Sequence, residues 1–144
     1  MEFLFHYLDD FITVGRPASI ECMNNPSIIK QCCDITGTLL EQEKIEGPTT
    51  CLPFFGIELD TEAMEIRLPA DKLLQLRETI REWIGRKAGR KRALLSLIRL
   101  LNHACKAVRE GRSFLRRLID VSASVQKLDG FMRLNTSSQS DIYW

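Results

Sequence analysis

Residues 3–14 read FLFHYLDDFITV and place two adjacent aspartates, Asp9 and Asp10, inside a stretch that is otherwise mostly apolar. The flanking segments FLFHYL and FITV are rich in aromatic and β-branched residues, a composition that is typical of β-strands. Two such segments on either side of a short polar pair predict a β-hairpin. We therefore expect two strands here, with both carboxylates presented at the turn between them.

Two neighbouring carboxylates repel each other, and burial makes each of them harder to ionise, so something should compensate for the pair. A solvated hairpin turn is one explanation, because Asp favours turns, and a helix N-cap is another. A divalent cation is the third explanation, since Mg²⁺ prefers oxygen ligands and is often held by one or two carboxylates. The residues alone leave these three alternatives open.

Composition describes an ordinary globular chain of 144 residues, of which 44% are hydrophobic and 27% are charged. Such a chain has room for one core or two small ones. No apolar run approaches the roughly 20 residues that a membrane span needs, and the start lacks the basic region of a signal peptide. We therefore expect an intracellular protein with no membrane partner.

The five cysteines are an odd number and form no CxxC pair, which favours reduced thiols over a disulfide framework. No pair of cysteine or histidine residues has the spacing of a zinc finger, so a structural zinc site is not expected. The cysteines therefore do not define the fold.

Charge divides the chain into two unlike halves. Up to Leu68 there are 4 Lys or Arg against 12 Asp or Glu, a net charge of −8, and from Pro69 onward there are 16 against 7, a net charge of +9. An acidic half with clustered aspartates suits cations, whereas a basic half suits an anionic polymer such as nucleic acid.

The first half contains one predicted helix and a second predicted hairpin. Asn25 and Pro26 are typical of a helix start, and the helix should run to about Leu40. Its apolar face, predicted to lie on the sheet, consists of Ile28, Cys32, Ile35 and Leu39. The later segments CLPFFGIEL, DTEA and MEIRL predict strand, turn and strand, with Gly56 at a point where a side chain would obstruct something close.

The second half changes to a helical period and predicts three helices. Their apolar residues are Leu73, Leu76, Ile80 and Trp83; Leu94, Ile98, Leu101, Cys105 and Val108; and Phe114, Leu118 and Val121. The segment GRKAGRKR (85–92) between the first two helices carries five basic charges and is read either as a solvated loop or as a phosphate contact. The polar stretch LNTSSQS near the end predicts a linker. The expected fold class is α+β.

Several motifs then point to a known family. Tyr7-Leu8-Asp9-Asp10 matches the YxDD motif of reverse transcriptases, and EKIEGPTT, FFGIELDT, LPADKL and LLNHACKAVREGRSFLRRLID follow it in the order seen in retrotransposon enzymes. The chain resembles, over nearly its whole length, the C-terminal palm and the thumb of reverse transcriptases from DIRS-type and related elements. The resemblance implies an RNA-directed DNA polymerase, a nucleotidyltransferase that works with Mg²⁺ or Mn²⁺ and uses an RNA or DNA primer-template and dNTPs.

The resemblance also implies domains and residue roles. Residues 1–68 resemble the palm with its YxDD and primer-grip hairpins, 69–126 the helical thumb, and 127–144 a linker toward an RNase H-like domain. The implied catalytic residues are Asp9 and Asp10, which would hold the metals, and Lys44, a general acid toward pyrophosphate. Primer contacts are implied for Tyr7, Phe55 and Gly56. The basic residues expected to contact nucleic acid are Lys87, Arg90, Lys91, Arg92, Arg112, Arg116 and Arg117.

Some features depart from the family pattern. The first metal-binding aspartate of the family lies on a strand upstream of YxDD, together with the fingers, whereas only six residues precede Tyr7 here. Arg99 also stands where relatives often carry glycine. We therefore expect an internal fragment or a decayed copy that is inactive alone. The alternative is a non-catalytic nucleic-acid-binding relic that retains the basic thumb.

Overall fold

The computed structural model of the protein describes residues 3–7, 10–17 and 19–143, with backbone alone for Phe3 and Tyr7. The chain divides into two compact units, Met1–Phe54 with Leu59–Glu65, and Phe55–Glu58 with Ile66–Trp144. The described residues contain five α-helices and three small sheets, so the predicted α+β fold class is confirmed. Among the described residues, no helix has the length and apolar character that crossing a bilayer requires.

The first unit begins with the predicted hairpin. Strand β1 (Phe3–Tyr7) pairs antiparallel with strand β2 (Asp10–Val14), in a register that runs from Phe3 opposite Val14 to Tyr7 opposite Asp10. Aromatic and β-branched side chains fill both strands, as a pleated sheet favours. The hairpin predicted from FLFHYLDDFITV is confirmed.

Helix α1 (Glu21–Thr36) starts and ends earlier than predicted. The Ser19 hydroxyl accepts a hydrogen bond from the Glu21 amide (3.4 Å), which satisfies an amide at the helix start. At the other end the Thr38 amide donates to the Cys33 carbonyl (2.9 Å), which closes the last turn.

The predicted apolar face of α1 is wrong. Ile35 is 79% exposed and Leu39, beyond the helix, is 99% exposed, whereas the buried side chains are Asn25 and Cys33. Helix α1 does contact strand β2, as expected. Asn25 and Pro26, which were expected at the first turn, lie inside the helix.

Three short strands form the second sheet: β3 (Cys51–Phe54), β4 (Ile57–Asp60) and β5 (Glu65–Arg67), paired in that order. A turn at Phe55 and Gly56 therefore interrupts the segment CLPFFGIEL, which had been predicted to be one strand. The predicted turn DTEA is present, and the Asp60 carboxylate accepts from the amides of Glu62 (3.1 Å) and Ala63 (2.8 Å). This pairing of an Asp side chain with nearby amides is typical of tight turns.

The second unit contains the three predicted helices. They are α2 (Ala70–Trp83), which begins directly after Pro69, α3 (Lys91–Ala104) and α4 (Arg112–Ala123). Their buried side chains share one core with residues from the end of the chain. That core consists of Trp83, Leu94, Leu97, Ile98, Leu118, Met132, Leu134 and Ile142.

Residues 127–144 differ from the linker that the sequence predicted. Strand β7 (Phe131–Arg133) pairs antiparallel with strand β6 (Ala88–Arg90), and helix α5 (Thr136–Tyr143) follows it. Met132, Leu134 and Ile142 are each about as buried as Trp83. We call residues 131–143 the C-terminal segment; its apolar side chains complete the helical core, so it belongs to this unit.

Candidate nucleic-acid and metal site

The YLDD sequence falls at the end of the first hairpin. Its first and last residues, Tyr7 and Asp10, are the final paired positions of β1 and β2, and Asp10 is exposed. Leu8 and Asp9 lie outside the described residues, as does the side chain of Tyr7. The described half of the motif therefore places one carboxylate in solvent at the closed end of a hairpin.

Lys44, the predicted general acid, lies in a short 3-10 turn (Gln42–Lys44) of the same unit and is 80% exposed. It forms an ion pair with Glu41. The hydrogen bond and the charge of Glu41 raise the pKa of Lys44, and the charge of Asp10 raises it further. Lys44 is therefore protonated at neutral pH, and its side-chain partner is Glu41.

Metal-ligating side chains do not form a group among the described residues. Within residues 3–7, 10–17 and 19–143, no three His, Cys, Asp or Glu side chains come together in a metal-sized group. The five cysteines, all of them within the described residues, form no disulfide.

The Phe55-Gly56 turn belongs to the helical unit and is tightly constrained. Both residues have positive φ, 53° and 70°, the combination that defines a type I′ hairpin turn. The Phe55 carbonyl lies 3.3 Å from His103 Nε2 and 3.4 Å from Lys106 Nζ. A Cβ atom on Gly56 would lie 2.9 Å from His103 Nε2, so the prediction that a side chain there would obstruct a close neighbour is confirmed.

The basic segment 85–92 is not the loop that was predicted. Ala88–Arg90 form β6, and Lys91 is the first residue of α3. The Lys91 ammonium donates to the Val125 carbonyl (2.5 Å) and is partly buried, so it stabilises the fold. Arg92 remains exposed, 3.6 Å from the equally exposed Asp129. Lys91 is thus a poorer candidate for phosphate contact than its neighbours.

The arginines of α4 also divide by role. Arg117 donates to Asp141 (2.6 Å), whose side chain is 1% exposed, and so holds α5 against α4. Arg116 is 81% exposed and pairs with Asp120 on its own helix (3.3 Å). Such an exposed pair contributes little to stability and leaves Arg116 able to exchange partners. Of the two, Arg116 is better placed to meet a phosphate.

Sequence reasoning named Arg90 but missed Phe131 and Arg133, which share a basic and aromatic surface with it on the two-stranded β6–β7 ribbon. Gly89 and Met132 are paired in the middle of the ribbon. A Cβ on Gly89 would lie 2.8 Å from the Trp83 ring, and Met132 is buried, so this face of the ribbon packs on the core. Because side chains alternate along a strand, the flanking residues occupy the opposite face. Those residues are Ala88, Arg90, Phe131 and Arg133, all exposed, with Phe131 at 69%.

We call the surface of Arg90, Phe131 and Arg133 the ribbon face. Arg90 lies opposite Phe131 in the register, and Ala88 lies opposite Arg133. In the sequence Phe131, Met132 and Leu134 are all apolar, so no alternation of apolar and polar residues marked this face. No family model, no curated protein and no solved structure matches this chain. Inference about its function therefore depends on its motifs and on the geometry of its own side chains.

Proposed function

We propose that this chain forms the C-terminal part of the palm, and the thumb, of a retrotransposon reverse transcriptase of DIRS-type or related kind. The observation that carries the proposal is the antiparallel hairpin whose last paired residues are the first and last residues of YLDD. Strand pairing fixes the backbone at Tyr7 and Asp10, so the Asp10 carboxylate is carried by a paired strand residue. Rigid support is what a catalytic metal site requires.

Asp9 and Asp10 would hold Mg²⁺ or Mn²⁺ in this proposal. Carboxylate oxygens are the donors that these hard cations prefer, and the exposed position of Asp10 leaves room for a phosphate to share the ion. These two carboxylates would hold ions that, when bound, would supply activation of a primer hydroxyl and charge stabilisation of the leaving pyrophosphate. The opposite charge of the ions also removes the repulsion between adjacent carboxylates. Asp10→Asn should therefore weaken divalent-ion binding by the chain.

Lys44 would supply the proton that pyrophosphate takes as it leaves. A general acid must be protonated before the reaction, and the charges of Glu41 and Asp10 favour the protonated ammonium. Its exposed position also suits a group that exchanges protons with water between reaction cycles. These properties support the proposed role of Lys44.

The ribbon face supports contact between the helical unit and nucleic acid. Arg90 and Arg133 are exposed on one side of a two-stranded sheet, where guanidinium groups can pair with phosphate oxygens. Phe131 offers an exposed ring between them for packing against sugars. Phosphate and sugar contacts carry no sequence information, which suits an enzyme that must copy any template.

Binding of an RNA–DNA hybrid duplex by the full chain tests this assignment. Arg90→Gln with Arg133→Gln should lower the log–log dependence of affinity on salt by about 2, because each lost phosphate contact removes about one released counterion. Arg77→Gln with Arg81→Gln, which removes two exposed charges from α2, is the matched control and should leave the slope nearly unchanged. Fluorescence anisotropy at several salt concentrations gives both slopes. An equal decrease of the salt slope in both double variants would contradict the assignment. A loss of affinity confined to one duplex sequence would also contradict it.

A non-catalytic nucleic-acid-binding domain is the second candidate function. The same ribbon face favours it, since Arg90 and Arg133 need no metal to meet phosphates. The two candidates differ at the first hairpin, where only a polymerase needs carboxylates that bind divalent cations. Divalent binding that depends on Asp10 therefore separates them.

A further inference from the structure

The helical unit contains a cleft of about 490 Å³ between the Phe55-Gly56 turn and the segment that joins α3 to α4. This volume lies in the range of ligand-binding pockets. Three of its six lining residues are cationic and none is acidic. The lining residues are Phe55, Ile57, Cys105, Lys106, Arg109 and Arg112.

The aromatic wall of the cleft is held in place by the end of α3. The Phe55 carbonyl lies within hydrogen-bonding distance of both His103 Nε2 and Lys106 Nζ, at 3.3 and 3.4 Å. Lys106 Nζ also lies 6.0 Å from the centroid of the Phe55 ring. An aromatic face and an ammonium group therefore occupy the same wall, and Phe55 remains 36% exposed.

The charge inside the cleft is positive at neutral pH. Burial raises the pKa of the Cys105 thiol, and the nearby Arg112 opposes that shift. The raised pKa keeps the thiol protonated and uncharged at neutral pH, so it offsets none of the positive charge. Lys106, Arg109 and Arg112 thus share one concave surface with no negative charge among its lining residues, which favours an anionic ligand.

We propose that this cleft binds one nucleotide of an unpaired nucleic-acid strand, its phosphate among Lys106, Arg109 and Arg112 and its base against Phe55. The site deepens the proposed function, on which its role during copying rests. Cationic grooves with aromatic side chains are the usual means of holding single strands. A continuous duplex does not fit this description, because its bases are stacked on one another and offer no free face to Phe55.

Anisotropy of a labelled single-stranded DNA oligonucleotide with the full chain tests the site. Arg109→Gln should weaken binding about tenfold. Arg99→Gln is the matched control, because Arg99 is an exposed arginine on α3 outside the cleft, and it should change affinity less than about twofold. Equal losses in the two variants would overturn the proposal, because they would show that charge acts without a site.

The base contact needs a second measurement. Phe55→Leu should weaken binding of the normal oligonucleotide about tenfold and leave binding of an abasic oligonucleotide of the same length nearly unchanged. Equal losses with both oligonucleotides would overturn the stacking role. Displacement by inorganic phosphate as effective as displacement by an unlabelled strand would also overturn the proposal, because the site would then be one for small anions.

The outcome is separable from that of the proposed function. Duplex binding depends on Arg90 and Arg133, and divalent-ion binding depends on Asp10, none of which lines the cleft. A cleft that binds single strands while Asp10→Asn leaves divalent-ion binding unchanged would support the site without the polymerase. Divalent-ion binding that Asp10→Asn weakens, together with single-strand binding that Arg109→Gln leaves unchanged, would support the polymerase and reject the site.

Discussion

Replacing Ile142 by Ala should destabilise the helical unit strongly, although a linker reading of residues 127–144 predicts no effect. Ile142 is 4% exposed and belongs to the same core as Trp83 and Leu118. Truncation of a buried Ile to Ala typically costs about 2–5 kcal/mol, from lost burial and from the cavity that remains. Ile142 packs in a core built from four helices and a strand, so the loss of stability on Ile142→Ala should lie inside this range of free energies.

Thermal unfolding followed by far-UV circular dichroism measures the effect. A loss of about 3 kcal/mol should lower the melting temperature by about 12–24 °C in a unit of this size. Ile119→Ala is the matched control, because Ile119 lies on α4 and is 44% exposed, and it should cost less than about 1 kcal/mol. Equal shifts in the two variants would refute the packing of the C-terminal segment into the core.

Two further predictions concern the Phe55-Gly56 turn and the Cys105 thiol. Gly56→Ala should lower the free energy of unfolding, measured with denaturant, by about 1–3 kcal/mol. Gly56 has a positive φ, and an added Cβ would lie 2.9 Å from His103 Nε2. A smaller loss in a His103→Ala background would confirm the steric part. Cys105 should react with iodoacetamide more slowly than the exposed Cys32, as read by mass spectrometry, because it is buried and its pKa is raised. The folded state holds the Cys105 proton more tightly than the unfolded state does. The protonated thiol should therefore add to the free energy of unfolding below the ordinary thiol pKa, and this contribution should disappear as pH rises through the raised pKa. Equal reactivity of Cys105 and Cys32 with iodoacetamide would contradict the burial and the raised pKa of Cys105.

The sequence predicted elements whose signals are local. The first hairpin and helices α2, α3 and α4 follow from periodicity that a short window contains. Their core residues Trp83, Leu94 and Leu118 were also identified in this way, because a helical stripe marks its buried face directly.

The sequence misled where a partner distant in the chain decides the structure. Strand β6 has only three residues, and its strand character comes from pairing with β7, about 40 residues later. Helix α5 looks like a polar linker, yet the Asn135 side chain accepts from the Ser138 amide (2.7 Å) and starts it as an N-cap would. Ile142 and Asp141 then fix that helix to the core.

Some of the candidate residues could be named from the sequence because their signals are local, and others could not. YLDD and Phe55-Gly56 are local sequence features, and Lys44 was assigned from the order of motifs in the resemblance. The internal roles of Lys91 and Arg117 could not be, because each depends on a distant partner, the Val125 carbonyl and the Asp141 carboxylate. Basic composition indicates where phosphate could bind, but only the fold shows which cations are already engaged.

Manganese binding at the first hairpin tests the polymerase assignment most directly. Paramagnetic broadening of backbone amide NMR signals by Mn²⁺ reports which residues lie nearest the ion. We predict that the Asp10 and Phe11 amides broaden first in the full chain, and that Asp10→Asn weakens this effect by about tenfold. The matched control Asp34→Asn, which changes an exposed aspartate on α1, should leave it unchanged. Broadening that begins at Glu41 and Glu43, or that is equally sensitive to both substitutions, would contradict the assignment of YLDD as a catalytic metal site.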